Sequence, residues 1–322
     1  MNRAFWLPAT LASLLIALAL SITPVARAQD VYLPGAETIP PPKDSTLTIR
    51  VHHLAPGVFA AKVNFVWTGW VELADGIVVI DATPADSAAA ALADTIAARS
   101  PGKKIRYLVL THDHVDHMGG ARRFLDAGAV LVAQKKKVAT IDSILGRAPA
   151  KGDVGVTKRY RIADKKNPVD VIWLGRPAHS AGDVVVLIPR QKILFAGDLV
   201  SNRSVPWLLD HDLSLEGWTA SLDSLYAMRA GIDSLVPGHG DLAPPADGIR
   251  FTARYLREAQ EKAAEIIAAG VQLIAVGRWS DMGAYQGLEF YEEVQIMNIR
   301  RLYKEAKGIK TPGRVRVGTY RK

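Results

Sequence analysis

The 322-residue sequence contains no cysteine. Thiol nucleophiles, thiolate-ligated zinc and disulfides are thereby excluded, so the fold must rest on core packing and on any metal held through nitrogen or oxygen. Long hydrophobic runs are scarce as well. The apolar run at 11–20 is preceded by Arg3 and followed by the small-residue site Ala26-Arg27-Ala28. It is shorter than the roughly 20 residues of a bilayer span and reads as a secretory signal over 1–28, cleaved after Ala28. The expectation is a periplasmic or secreted chain with no transmembrane anchor after cleavage. Charge of one sign is only moderately in excess: the formal net charge is +8, and removing Arg3 and Arg27 with the signal leaves 38 basic against 32 acidic side chains, or +6. The basic clusters at Lys135-Lys136-Lys137, 159–166 and 314–322 do not interleave with aromatics on one obvious stripe. They read as solvated faces, and no nucleic-acid partner is expected.

What is present is a chain 49% hydrophobic, enough to bury a sizeable core. A proline-rich arm occupies 29–46, the folded domain 47–308 and a basic tail 309–322. The domain opens with β-hairpins punctuated by Pro56-Gly57 and Asp75-Gly76. Asp86 and Ser87 then start an Ala- and Leu-rich helix that Pro101-Gly102 stops. Beyond it strands and helices alternate: IRYLVL, a short helix to Gly128, AVLVAQ, VDVIWLG, a hairpin of VVVLIP with ILFAGD around Arg190-Gln191, a helix near 221–230, and SLVP. Two further helices span 248–269 and 288–307, stopped by Gly270 and Gly308. Strands joined by crossover helices define an α/β protein with helix-covered sheets, in which polar residues at strand C-termini line the site.

Histidine is rare, at 8 residues in the chain, yet three of them crowd into THDHVDHMGG at 111–120. His112, His114, Asp116 and His117 follow directly on the apolar strand IRYLVL, where turns can aim them into one crevice. Imidazole and carboxylate are the usual ligands of zinc when thiolate is absent. Three more candidates stand in matching contexts: His179 in RPAHSAGD, Asp198 at the end of ILFAGD and His239 in VPGHGD. Five histidines and two aspartates suffice for two divalent ions sharing one carboxylate. His52 and His53 lie on the first strand and read as structural or surface residues.

At these residues the chain resembles the metallo-β-lactamase superfamily, through the HxHxDH motif, the later His in a Gly-bounded loop, the Gly-Asp and the PGHG. The resemblance covers about 47–308 and implies an αββα sandwich of two mixed sheets flanked by helices, with the site at one sheet edge. It implies two Zn(2+) ions, Fe or Mn being possible, with His112, His114 and His179 on one, Asp116, His117 and His239 on the other, and Asp198 bridging them. Asp113 drops out as a ligand. The segment GIVVIDATP resembles the family's Asp-Thr-Gly motif but reads Asp81-Ala82-Thr83, with Asp81 supporting a ligand through a hydrogen bond. The expected mechanism is attack by a metal-bound hydroxide on an acyl or phosphoryl centre, with Asp116 orienting the nucleophile or passing a proton.

The resemblance leaves the substrate open. Cysteine or serine stands in zinc β-lactamases where Asp198 stands here, whereas glyoxalase II-like thioesterases, lactonases and several phosphoesterases use aspartate. The ending QIMNIRRLYKEAKG resembles periplasmic members linked to quinoprotein relay and sulfur oxidation. The favoured expectation is an exported dinuclear zinc hydrolase of a small ester, thioester, lactone or lactam. A β-lactamase, a non-catalytic metal-binding or interaction protein and a nucleic-acid hydrolase are the alternatives. Trp67 is a candidate lid residue, Trp70 a core residue and His211 a candidate substrate contact; Trp279, Tyr285 and Tyr291 are further pocket candidates. Oligomeric state is not legible.

Overall fold

The computed structural model describes residues 47–309. The expected signal at 1–28, the arm at 29–46 and all but the first residue of the tail lie outside the described residues. Four strands open the domain as an antiparallel meander: β1 (Ile49–Ala55), β2 (Val58–Val63), β3 (Val66–Glu72) and β4 (Ile77–Ile80). The helix α1 (Asp86–Arg99) crosses over so that β5 (Ile105–Val109) lies parallel to β4. Two short helices, α2 (Val115–Met118) and α3 (Ala121–Leu125), lead to β6 (Val130–Gln134), and α4 (Lys135–Leu145) leads to β7 (Val154–Val156), both strands again parallel to their neighbours. Then β8 (Arg159–Ile162), β9 (Val169–Trp173), β10 (Val184–Ile188) and β11 (Ile193–Asn202) run antiparallel. The helix α5 (Leu215–Met228) brings β12 (Ser234–Gly240) back parallel to β11, and α6 (Pro245–Ala268) and α7 (Tyr291–Ala306) follow.

Among the described residues, strands β1–β7 and β8–β12 form two halves whose strands pair with each other only at β3 and β12, where His239 pairs with Val66. Three apolar clusters show how the halves are layered. Val58, Val71, Ile80 and Val109 of the first half pack with Val171, Val186, Phe195 and Val236 of the second, so the halves face each other. A second cluster joins the first half to Leu92 and Ile96 of α1, Phe124 of α3 and Ile141 of α4. The third joins the second half to Trp218 of α5, Tyr255 of α6 and Val294 of α7. This is the expected αββα layering. Because both faces of each half are covered, central strands are buried along their whole length, all four residues of the apolar β4 and all ten of β11. The helices by contrast bury one stripe, Ala88, Ala89, Leu92 and Ile96 in α1.

The structure corrects several sequence expectations. α4, β7 and β8 were not expected, since KKKVATIDSIL opens with three lysines and looks like a solvated patch. Lys137 is in fact 7% exposed and paired with two aspartates. α6 starts at Pro245, whose fixed φ suits a first helical turn. α7 starts at Tyr291 because Phe290 takes the left-handed conformation, φ 65°. Gly119 and Gly120 give room where the chain turns into α3, since a Cβ would lie 2.0 Å from the Pro84 carbonyl oxygen or 2.4 Å from Ala89 Cβ. Trp70 is a core residue as expected, fully buried and stacked on Phe59 at 4.6 Å. Among the described residues no helix is long and apolar enough to cross a membrane.

Candidate metal centre

Four stretches of chain converge at one end of the sandwich. The turn after β5 supplies His112 and His114, and the helical turn α2 that follows adds Asp116 and His117. The loop between β9 and β10 supplies His179, tied down by Asp183, whose carboxylate accepts from Ser180 N at 2.7 Å and Ser180 Oγ at 2.9 Å. Asp198 does not end its strand, as the sequence suggested. It lies within β11, at an interruption of the β11–β12 register next to Gly197 with φ 52°. His239 likewise lies inside β12. Gly238 lets β12 pass close to Asp198, for a Cβ there would sit 1.8 Å from Asp198 Oδ1.

These side chains form two donor groups, His112–His114–His179–Asp198 and Asp116–His117–Asp198–His239, the donor atoms of each lying within 4.8 Å of one another. Asp198 belongs to both, 3.3 Å from His179 Nε2 through Oδ2, 3.3 Å from His239 Nε2 through Oδ2 and 3.0 Å from His117 Nε2 through Oδ1. Asp116 Oδ2 is 3.1 Å from His239 Nε2. Every one of these residues is buried.

Each imidazole turns one nitrogen inward, and four of the five have the other nitrogen fixed. His112 Nδ1 meets Thr111 Oγ1 at 3.1 Å, His114 Nε2 meets Asp210 Oδ2 at 2.7 Å, His117 Nδ1 meets Asp81 Oδ2 at 2.9 Å and His239 Nδ1 meets the Phe65 carbonyl at 3.1 Å. Such partners fix tautomer and ring orientation and leave the inward lone pair for a cation. The inward His112 Nε2 makes no hydrogen bond, and His117 Nε2 and Asp198 Oδ1, though 3.0 Å apart, make none either, a costly arrangement for buried polar atoms. A nitrogen- and oxygen-only donor set with these inward atoms fits two divalent ions of the zinc, iron or manganese kind.

Electrostatics agree with that fit. Burial, reinforced by the neighbouring imidazoles His117 and His114, holds His112 well below its ordinary pKa. Burial and His114 bring His179 down to about 3. Both are therefore neutral ligands at physiological pH. Burial alone would raise Asp198 and Asp116, but surrounding histidines overcome it and hold both carboxyls ionised, Asp198 well below its usual range. Against the opposing effect of burial, those carboxylates raise His117 well above its usual value and His239 to about 10. The second group thus draws positive charge strongly, and a dication competes with protons for it.

All seven ligand candidates come together, and Asp81 reaches His117 as expected. Asp81 also accepts from Thr111 N and Oγ1, both at 2.8 Å, while itself at φ 61°; Thr83, where the family motif has glycine, is held at φ 66°. A β-branched residue in that region is strained, which marks this turn as fixed by its surroundings. Trp67 is not a lid. It lies on β3, 5% exposed, and its Nε1–H donates to the Gly240 carbonyl at 2.9 Å, bracing the strand that carries His239. Tyr285 and Tyr291 are core residues bonded to Glu258 and to Met282 N. Trp279 is half exposed. His211, its side chain 39% exposed, reaches the site only through Asp210 Oδ1, 2.8 Å from its Nδ1. His52 and His53 are exposed on β1, with rings against Trp67 and Phe59. Sequence reasoning missed Asp210, Lys137 and Thr111. Only Thr111, adjacent to the motif, carried a local signal.

Comparison with known proteins matches residues 61–239 to the sequence model of the Metallo-beta-lactamase superfamily. The chain is 28% identical over 196 residues to a Metallo-beta-lactamase type 2 of Elizabethkingia meningoseptica, covering 58% of this chain and 73% of that one. It is 24% identical over 168 residues to a Metallo-beta-lactamase type 2 of Bacillus cereus, covering 52% of this chain but 64% of that protein's length. Among solved structures, a metallo-beta-lactamase from Pontibacter korlensis superposes with a TM-score of 0.57 at 22% identity, over 65% of this chain and 99% of that one.

Proposed function

The chain belongs to the metallo-beta-lactamase superfamily, and from that premise we propose that it is an exported dinuclear zinc hydrolase acting on a small ester, thioester, lactone or lactam. The observation that carries the reading is the pair of four-donor groups sharing Asp198. His112, His114 and His179 would hold one ion, Asp116, His117 and His239 the other, with Asp198 between them. When bound, the ions supply Lewis-acid activation of water and of the scissile carbonyl.

The chain's own part is to hold and move protons among buried side chains. Asp116, ionised under the influence of His117 and His239, takes the proton of the attacking water. It is the more exposed of the two site carboxylates, 7% against 4% for Asp198. Phe65 and Phe290 set their rings against His239, at 6.0 and 5.4 Å, giving that flank an apolar character suited to an acyl group.

A β-lactamase is the second reading, favoured by the names of the relatives. Asp198 weighs against it, because the resemblance noted in the sequence places cysteine or serine there in classical zinc β-lactamases. Elemental analysis should find close to two equivalents of zinc, and a panel of ester, thioester, lactone, β-lactam and phosphodiester substrates should show turnover that Asp116→Asn abolishes with the fold intact. Two metal equivalents without turnover on any substrate would instead support a metal-binding protein, and rapid lactam turnover the second reading. N-terminal sequencing of the mature chain from a periplasmic fraction should begin at Gln29.

A further inference from the structure

The seven donors leave a buried lysine beside them unexplained. Lys137, on α4, has its ammonium 3.0 Å from Asp113 Oδ1, 3.1 Å from Asp113 Oδ2 and 2.6 Å from Asp212 Oδ2. A lysine this buried is found almost only where it is paired, and here the pairing links segments distant in sequence. Asp113 stands between His112 and His114. Asp212 follows by two residues Asp210, whose carboxylate fixes His114 Nε2. The lysine's stem runs past Gly182, where a Cβ would lie 2.3 Å from Lys137 Cγ. Gly182 belongs to the loop that carries His179.

Three segments thus meet on one side chain, and all three serve the group His112–His114–His179–Asp198. The other group is secured elsewhere, His117 by Asp81 and His239 by the Phe65 carbonyl. Lys137 also engages both carboxylate oxygens of Asp113, which keeps a carboxylate adjoining two ligands from entering the donor set.

We propose that Lys137 is a positioning residue for the first metal group alone, setting the placement of His114 and His179 through Asp113, Asp212 and Gly182 without touching metal or substrate. The proposal rests on the dinuclear reading above. Its test is cobalt(II) titration of the metal-stripped mature protein, followed by d–d absorption and by elemental analysis, for wild type, Lys137→Met and Asp212→Asn.

Wild type should take up two equivalents. Lys137→Met should keep one at wild-type affinity and bind the other about 10- to 100-fold more weakly, the range for lost support around a ligand. Asp212→Asn, at a partly exposed position that leaves the Asp113 pair in place, should weaken the same equivalent by less, and it serves should Lys137→Met fail to fold. Two equivalents at wild-type affinity in the folded variants, or equal weakening of both, overturns the proposal. Fewer than two equivalents in wild type overturns the dinuclear reading itself, and the proposal falls with it.

Discussion

Asp210 offers the sharpest test of how the centre is held. Its Oδ2 is 2.7 Å from His114 Nε2, and the two side chains are 1% and 4% exposed, so water cannot replace the contact in place. In Asp210→Ala the Nε2–H either stays and is left unsatisfied, costing about 1–3 kcal/mol, or moves to Nδ1. That nitrogen faces His179 Nε2 at 3.0 Å, and protonating it removes the lone pair a cation needs. The same free energy is lost from metal capture by either route, which converts to about 5- to 150-fold in affinity. Asp210→Asn retains an acceptor oxygen without the charge and should fall at the lower end. The assay is competition with a chromophoric chelator at neutral pH, with His211→Ala as control. His211 lies on the outer side of Asp210, so its loss should leave metal affinity unchanged and alter KM if it meets substrate. An Asp210→Ala protein with wild-type affinity would refute the argument that this carboxylate fixes the ligand.

Three other perturbations probe the frame. Gly238→Ala forces a Cβ to 1.8 Å from Asp198 Oδ1; the shift of an ångström or more should cost at least one metal equivalent and about 10²-fold in activity, measured by metal content and turnover, whereas retention of both would show that β12 can yield. Asp170 is buried, and against the effect of burial Arg161 and Arg159 hold its carboxyl below the ordinary 3.8. A depressed folded pKa contributes stability that is complete above that ordinary value and is lost as pH falls through the folded one. The Tm gap between wild type and Asp170→Asn should therefore narrow on acidification below about pH 4; a widening gap contradicts the sign. Trp70→Ala should lower stability by about 3–5 kcal/mol, seen as a lower denaturant midpoint at unchanged m.

Local chemistry made much of this legible. His112, His114, Asp116 and His117 are close in sequence, so any turn after β5 brings them together. His179, Asp198 and His239 were legible because each stood beside a strand with glycine nearby. The core strands announced themselves as unbroken apolar runs. α4 escaped notice because its lysines mask a helix whose buried stripe is short, Lys137, Ile141 and Asp142. Trp67 was misread because its placement depends on where the β2–β3 turn falls. The turn is only Asn64-Phe65, so Trp67 enters the strand and its indole meets β12.

By itself the sequence determined which atoms are available to bind a cation, through the absence of cysteine and the spacing of histidines and aspartates, because donor chemistry belongs to residue type. It also determined the alternation of strands and helices, because burial on one face or two imposes its own period. Only the tertiary structure decided which nitrogen of each imidazole faces inward. That depends on partners up to 174 positions away, as with His239 and Phe65, and on the close passage of β12 by β11 that sets Asp198 between two groups of histidines. Such contacts carry no local pattern, since they arise where separate segments are packed together by a core they all share.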